Sequence, residues 1–201
     1  MIFAETDRLV LRTLEKKELP RLVELIGVWD VVRWLAVVPF PYKVEHAEEF
    51  FVDMQASYAT NDPQFYAMAF KTDNKLIGGV GLHPPRNEQH LPGEIEIGYW
   101  LGKDYWGQGL MHEAARRVRD LGFARPATRS IGATTAIGNH ASQNVLQKIG
   151  LRNMGQAPRD YSVLRGDDQI IKWLLTREQY NFLPLAGRVR EGGVSQEKTA
   201  D

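Results

Sequence analysis

Cysteine is absent from the 201 residues. That excludes disulfides, a cysteine nucleophile and any thiolate metal site, and it fits a reducing compartment. An excess of either charge is also missing, since 25 Lys and Arg balance 25 Asp and Glu. No global field therefore draws the chain to nucleic acid or to an acidic membrane. The only dense basic cluster is Arg116, Arg117 and Arg119, and no basic patch carries interleaved aromatics of the kind that grips nucleic acid. No apolar run approaches the roughly 18 residues of a membrane span. The start, MIFAETDRLVLR, lacks the basic flank and apolar stretch of a secretory signal. The expectation is a cytoplasmic protein with no nucleic-acid, membrane or metal partner.

What is present is ordinary for a globular chain: 43% hydrophobic and 25% charged residues. The length suits one domain with a sizeable core. No repeat or composition break interrupts residues 1–185, which are expected to form a single domain. Residues 186–201, mostly GRVREGGVSQEKTAD, have little to bury and are expected to be a flexible tail.

Leu9, Val10 and Leu11, bounded by Arg8 and Arg12, predict a strand over 7–13. Leu19, Leu22, Val23, Leu25 and Ile26 recur at helical spacing, with Gly27 as the stop. After a loop marked by Pro39 and Pro41, a second helix is predicted from Val44 to Tyr58. Phe65 to Phe70 and Leu76 to Leu82 flank the Asp73-Asn74 turn as an antiparallel hairpin. Ile95, Ile97, Tyr99 and Leu101 alternate with Glu94, Glu96, Gly98 and Trp100, giving a strand with two unlike faces. Leu110, Ala114, Val118 and Leu121 form a helical stripe, with Gly122 expected at C′. Ser130 to Ile137 reads as a strand, Asn139 opens a short helix that Gly150 ends, and 159–166 with 169–176 read as a last hairpin. This order predicts an α/β chain, a mixed sheet with helices on its faces.

Two stretches carry chemistry. In the first, a strand over residues 94–101 is followed by a turn containing Gly107 and Gly109 and then a helix. A helix N-terminus offers unpaired N–H groups and partial positive charge, and glycines let a phosphate approach that backbone. A tight strand-to-helix turn is the structural alternative. The turn is neither a P-loop, since no Gly-Lys-Ser/Thr follows, nor a dinucleotide fingerprint, since residue 112 is His. In the second stretch Asn139 is a natural N-cap with Ser142 one turn later. Both helices follow strands, so in an α/β sheet both N-termini can face one crevice.

Together these stretches resemble the GNAT superfamily of N-acetyltransferases, in particular the branch of ribosomal-protein N-terminal acetyltransferases of the RimJ/RimL type. Thr6-Asp-Arg8-Leu-Val-Leu-Arg12 resembles that branch's first strand, and Ile95-Glu-Ile-Gly98-Tyr-Trp-Leu its central strand. Trp106-Gly-Gln-Gly109-Leu-Met-His-Glu113 resembles its pyrophosphate loop, and Asn139-x-x-Ser142 through Gly150-Leu151 its second coenzyme segment. The resemblance runs in order over roughly residues 5–180. It implies a mixed, mostly antiparallel sheet of about six to seven strands flanked by about four helices.

It also implies acetyl-CoA as acyl donor. The backbone of Trp106, Gly107, Gln108, Gly109, Leu110 and Met111 is then expected to hold the pyrophosphate, while Trp100, Leu101, Asn139 and Ser142 meet the pantetheine arm. Without cysteine, the simplest scheme is direct attack of an amine on the thioester in a ternary complex. Many family members protonate the leaving thiolate with a Tyr seven residues after the Asn. Here that residue is Leu146, and Ser142 takes the role, with a structural part in the first helical turn as its alternative. Glu96 and Asp160 are the candidate bases, the alternatives being an exposed strand position for Glu96 and a simple turn role for Asp160. His83 and His112 have suitable ordinary pKa values near 6.5, with surface roles favoured for both. Tyr161 is a candidate for the amine site or for packing. Trp29, Trp34, Phe40 and Tyr42 are split between an acceptor wall and core. Arg116, Arg117 and Arg119 are read as a solvated helix face, or as ligands of the 3′-phosphate, with Glu113 pairing Arg117 at i,i+4. The partners implied are acetyl-CoA and an amine acceptor, either a protein N-terminus or a small molecule, in a monomer or homodimer. A non-catalytic acyl-CoA-binding module and an antibiotic- or metabolite-modifying enzyme are the alternatives, the even overall charge giving no support for the acidic cleft that polycationic substrates attract.

Overall fold

A computed structural model describes residues 1–59, 63–85, 90–158 and 169–184. In chain order the strands are β1 (Ile2–Glu5), β2 (Leu9–Arg12), β3 (Tyr66–Phe70), β4 (Leu76–His83), β5 (Glu94–Leu101), β6 (Ser130–Ala136), β7 (Arg152–Pro158) and β8 (Gln169–Thr176). The helices are α1 (Leu19–Ile26), α2 (Trp29–Val32), α3 (Val44–Ala59), α4 (Leu110–Ala124), α5 (His140–Lys148) and α6 (Arg177–Asn181), with 3-10 turns at Lys16–Glu18 and Lys103–Tyr105. The strands form one sheet in the order β1-β2-β3-β4-β5-β6-β8-β7. Every pairing is antiparallel except that of β5 with β6. The mixed, mostly antiparallel GNAT-like architecture expected from sequence is the one observed, with eight strands and six α-helices among the described residues.

The period-2 and period-3.6 patterns account for the two apolar layers. On one face Leu9, Leu11, Met68, Ile77, Ile97 and Ile131 pack against Leu110, Ala114 and Val118 of α4, Leu146 of α5 and Ile149 just after it. On the other, Phe65, Ala67 and Leu76 pack against Leu22, Leu25 and Ile26 of α1 and Ala47 of α3. No helix among the described residues is long and apolar enough to cross a membrane.

Three sequence expectations change. The strand expected at 159–166 lies outside the described residues, as do 186–201, and β7, Arg152–Pro158, is a strand that the sequence reading did not include. Its residues are almost all exposed, so an edge strand that buries nothing leaves no hydrophobic alternation to read. β1 is an added strand of four residues at the opposite edge, too short for periodicity. Gly122 lies inside α4, where an added Cβ would stand 2.9 Å from Ile131 and 3.0 Å from Leu82. The helix stops later because Pro126 forces Arg125 out of the helical region, to φ −75° and ψ 120°.

Candidate active site

The sheet comes apart at the only parallel pair among the described residues. β5 pairs with β4 from Gly78↔Leu101 to His83↔Glu96, yet with β6 only over Glu94↔Ser130, Ile95↔Ile131 and Glu96↔Gly132. Beyond Glu96 and Gly132 the two strands run on without each other, β5 held by β4 and β6 by β8. Gly102 N–H donates to Ile77 O of β4 at 2.9 Å. Alternation along a strand therefore turns the Leu101 N–H toward the opened, β6 side. A cavity of about 1170 Å³ occupies the wedge, at the carboxyl ends of the parallel strands where α/β sheets place their ligands.

The N-terminus of α4 enters this cavity. Gly107 and Gly109 have φ of 76° and 75°, a region unfavourable to residues with a Cβ. Among the described residues the backbone amides of Gly107 to His112 donate to nothing, and no side chain caps the helix. A Cβ at Gly107 would meet no atom within 4 Å, so the turn borders open space. Its scaffold is well tied. Trp106 Nε1 donates to Leu101 O at 2.8 Å, joining the turn to the end of β5. Arg8 Nη1 donates to Gln108 O at 3.0 Å. Glu113 accepts from Thr6 Oγ1 at 2.5 Å, Arg8 N–H at 2.8 Å and Arg8 Nε at 2.7 Å. Leu110 and Met111 are buried in the core, so their side chains anchor the helix while their amides face the cavity mouth.

The N-terminus of α5 forms the opposite wall. Asn139 Oδ1 accepts from Ser142 N–H at 3.2 Å, as an N-cap does. Ser142 meets a residue that local patterning does not reveal: Tyr99 Oη lies 2.9 Å from Ser142 Oγ and 3.1 Å from Ser142 O. Burial pushes the Tyr99 phenol above its ordinary pKa, with the Ser142 hydrogen bond pulling the other way, so it stays protonated. Leu146 is buried in the core.

On the α1–α3 side, Glu96 is buried and faces His83 across the β4–β5 pair, with His83 Nδ1 3.9 Å from Glu96 Oε2. Both line the cavity. The carbonyl of Pro84, 2.9 Å from His83 Nδ1, can only accept, so that nitrogen carries the proton. Trp34 and Tyr42 also line the cavity, whereas Trp29 and Phe40 meet edge to face at 5.1 Å between ring centroids and are half exposed. Glu49 and Asp53 of α3 complete this wall. His112 lines the cavity too, and burial, then Arg116 and Lys148, lower its pKa. Neither histidine is a plain surface residue. Asp160 and Tyr161 lie outside the described residues.

Of the arginine cluster, Arg116 and Arg117 are half-buried and Arg119 does not face solvent. Arg119 is 2% exposed, donating to Asp120 Oδ1 and, at 2.6 Å, to Ile149 O at the end of α5. The Glu113–Arg117 pair is replaced by Glu113–Arg8, because the strand end brings Arg8 closer than helical spacing brings Arg117. Among the described residues no group of three or more His, Asp or Glu could hold a metal ion.

A family profile described as an acetyltransferase (GNAT) domain matches residues 8–152. A Bacillus subtilis (strain 168) protein named, provisionally, ribosomal N-acetyltransferase YdaF is 29% identical over 177 residues, 86% of this chain and 93% of that protein. The crystal structure of a GNAT-family acetyltransferase from Bacillus anthracis superposes with a TM-score of 0.72 at 22% identity, covering 89% of this chain and 99% of that one. RimL, a ribosomal L7/L12 alpha-N-protein acetyltransferase solved in complex with coenzyme A, gives 0.70 at 15% identity over 88% and 98%. At these identities the structural likenesses establish the fold.

Proposed function

The chain belongs to the GNAT acetyltransferase family, and on that premise we propose that it moves the acetyl group of acetyl-CoA directly onto a primary amine, with donor and acceptor bound together. One observation carries the reading: the free amides of Gly107 to Met111 and the Asn139–Ser142 turn open on the same cavity, where β5 and β6 part.

The free amides and the α4 dipole suit the pyrophosphate. Trp106 and Gln108 hold the turn in shape, the first through its indole and the second through its carbonyl. Trp100 and Leu101 offer backbone to the pantetheine arm, and the Asn139 side-chain nitrogen is a donor for its amides. As the amine nitrogen bonds the thioester carbon, charge gathers on the carbonyl oxygen, which the Leu101 N–H is turned to receive. The C–S bond then breaks. The sulfur takes a hydrogen bond from Ser142, and the nitrogen loses its proton to Glu96, directly or through water, with His83 beside it. Asp160 remains a second candidate base.

For the acceptor, a free α-amino group titrates near 8 and a lysine near 10.4, so a weak or water-relayed base suits an N-terminal amine. A second reading, a small polycationic amine, is favoured by Glu49, Asp53 and Glu96 on the α1–α3 wall, where the described lining residues include no Lys or Arg. Thiol release from acetyl-CoA, measured with N-terminal peptides and with small polyamines, tests both readings. Turnover with one class identifies the acceptor. Binding of CoA without thiol release from any amine would leave a non-catalytic acyl-CoA module instead.

A further inference from the structure

Tyr99 lines this cavity, and the catalytic scheme above does not use it. It stands on β5 beyond the last β5–β6 pair, and its hydroxyl crosses the opened wedge to α5. The phenol has one proton and two acceptors within reach, Ser142 O at 3.1 Å and Ser142 Oγ at 2.9 Å. The carbonyl oxygen only accepts, whereas the serine hydroxyl both accepts and donates. Two arrangements satisfy these atoms. In one, Tyr99 donates to the Ser142 carbonyl, and the Ser142 hydroxyl spends its proton on the phenol oxygen. In the other, Tyr99 donates to Ser142 Oγ, whose own proton is then released toward the cavity.

We propose that Tyr99 is a positioning residue for acyl transfer, which by donating to Ser142 Oγ turns the serine proton toward the departing sulfur. This rests on the reading of Ser142 as the group that meets the thiolate. With resting donor the first arrangement is adequate. As the C–S bond breaks and the electron pair settles on sulfur, negative charge favours the second, because a hydrogen bond to an ion is about twice as strong as one between neutral groups. The chain Tyr99 Oη–H to Ser142 Oγ–H to sulfur is also cooperative, each donor being polarised by the one behind it. No proton need leave Tyr99, and burial opposes its loss. The proton that ends on sulfur is balanced by the one the amine nitrogen gives up.

The test uses Tyr99→Phe, which keeps the ring, alone and combined with Ser142→Ala. With acetyl-CoA and an accepted amine, kcat is expected to fall roughly tenfold, about one hydrogen bond's worth, with KM for acetyl-CoA changed less than about twofold. In the Ser142→Ala background the same substitution is expected to add almost nothing. The second readout is the thiol pKa of bound CoA, followed by thiolate absorbance: it should rise in Tyr99→Phe and in Ser142→Ala to a similar extent. Replacing tyrosine throughout by a fluorinated, more acidic tyrosine should lower it, but only when Ser142 is present; this arm also serves if Tyr99→Phe does not fold. Equal losses with and without Ser142, or a bound-thiol pKa indifferent to Tyr99, would overturn the proposal and leave Tyr99 a packing residue. If the wild-type protein releases no thiol with any amine while the bound thiol still responds to Tyr99 through Ser142, the clamp stands and the acyltransfer reading fails.

Discussion

Asn139 shows how one side chain can hold a helix and remain free to hold a ligand. Its Oδ1 caps α5 by accepting from Ser142 N–H, and its nitrogen is not used in that bond. Asn139→Asp keeps the acceptor and removes the donor, separating the two roles. Its thermal midpoint should stay within a degree or two of wild type, while CoA binding by calorimetry weakens roughly tenfold, the worth of one amide donor. Asn139→Ala should lose both, with about 1 kcal/mol of stability going with the cap. Unchanged CoA affinity in the aspartate variant would make Asn139 a cap only. The cap, the glycine pair at 107 and 109, and the serine one turn into α5 were all legible in sequence because each acts within a few residues of itself. Tyr99 was not. Its partner lies 43 residues away, and in the alternating pattern of β5 it is one more apolar position. The same holds for Glu113, which helical spacing assigns to Arg117 and the fold gives to Arg8, 105 residues distant.

At the scale of elements, the free end of α4 is useful only while it is held still, and the turn between β1 and β2 does the holding. Arg8 grips Glu113 and the Gln108 carbonyl together, so the strand entry clamps the turn from behind. Burial raises the Glu113 pKa, but the bonds from Thr6 and Arg8 outweigh it and the net shift is downward. A carboxylate depressed in the folded state stabilises it above the unfolded pKa, and that contribution disappears as pH falls through the folded value. Glu113→Gln should therefore cost about 1 kcal/mol near neutral pH, toward the low end for a charged hydrogen bond because Arg8 is half exposed. The cost should shrink to nothing in acid below the ordinary carboxylate range. Parallel melting curves of the two proteins from neutral to acidic pH measure it; a difference independent of pH would mean that the carboxylate charge is not what secures the turn. Most elements were legible because they bury a face. The strands missed, β7 and β1, lie at the two edges of the described sheet, where one side has no neighbour and the chain can be polar or very short.

At the scale of the whole molecule, equal totals of acid and base conceal a segregation. The cavity wall formed by α3 and β5 holds Glu49, Asp53 and Glu96, while Lys148 and the positive end of α4 stand on the other side of the wedge. No count of charges along the chain could show this, since the sheet decides which residues share a wall. In the proposed reaction the acidic side suits an ammonium and the electropositive side suits phosphates. CoA should then bind by its phosphates more than by its thiol. With CoA at about one hundred times its Kd, binding only to the folded state adds about 2.7 kcal/mol. For a chain of this size that corresponds to a rise of roughly 5–10 °C in Tm. Pantetheine, which carries the same thiol arm without the pyrophosphate, should produce little shift at the same concentration. In Gly109→Val, which places a β-branched side chain at a φ of 75°, the CoA shift should shrink toward the pantetheine value. Equal shifts from CoA and pantetheine would mean that the α4 terminus does not carry the binding, because the pyrophosphate proposed to meet this terminus is present only in CoA.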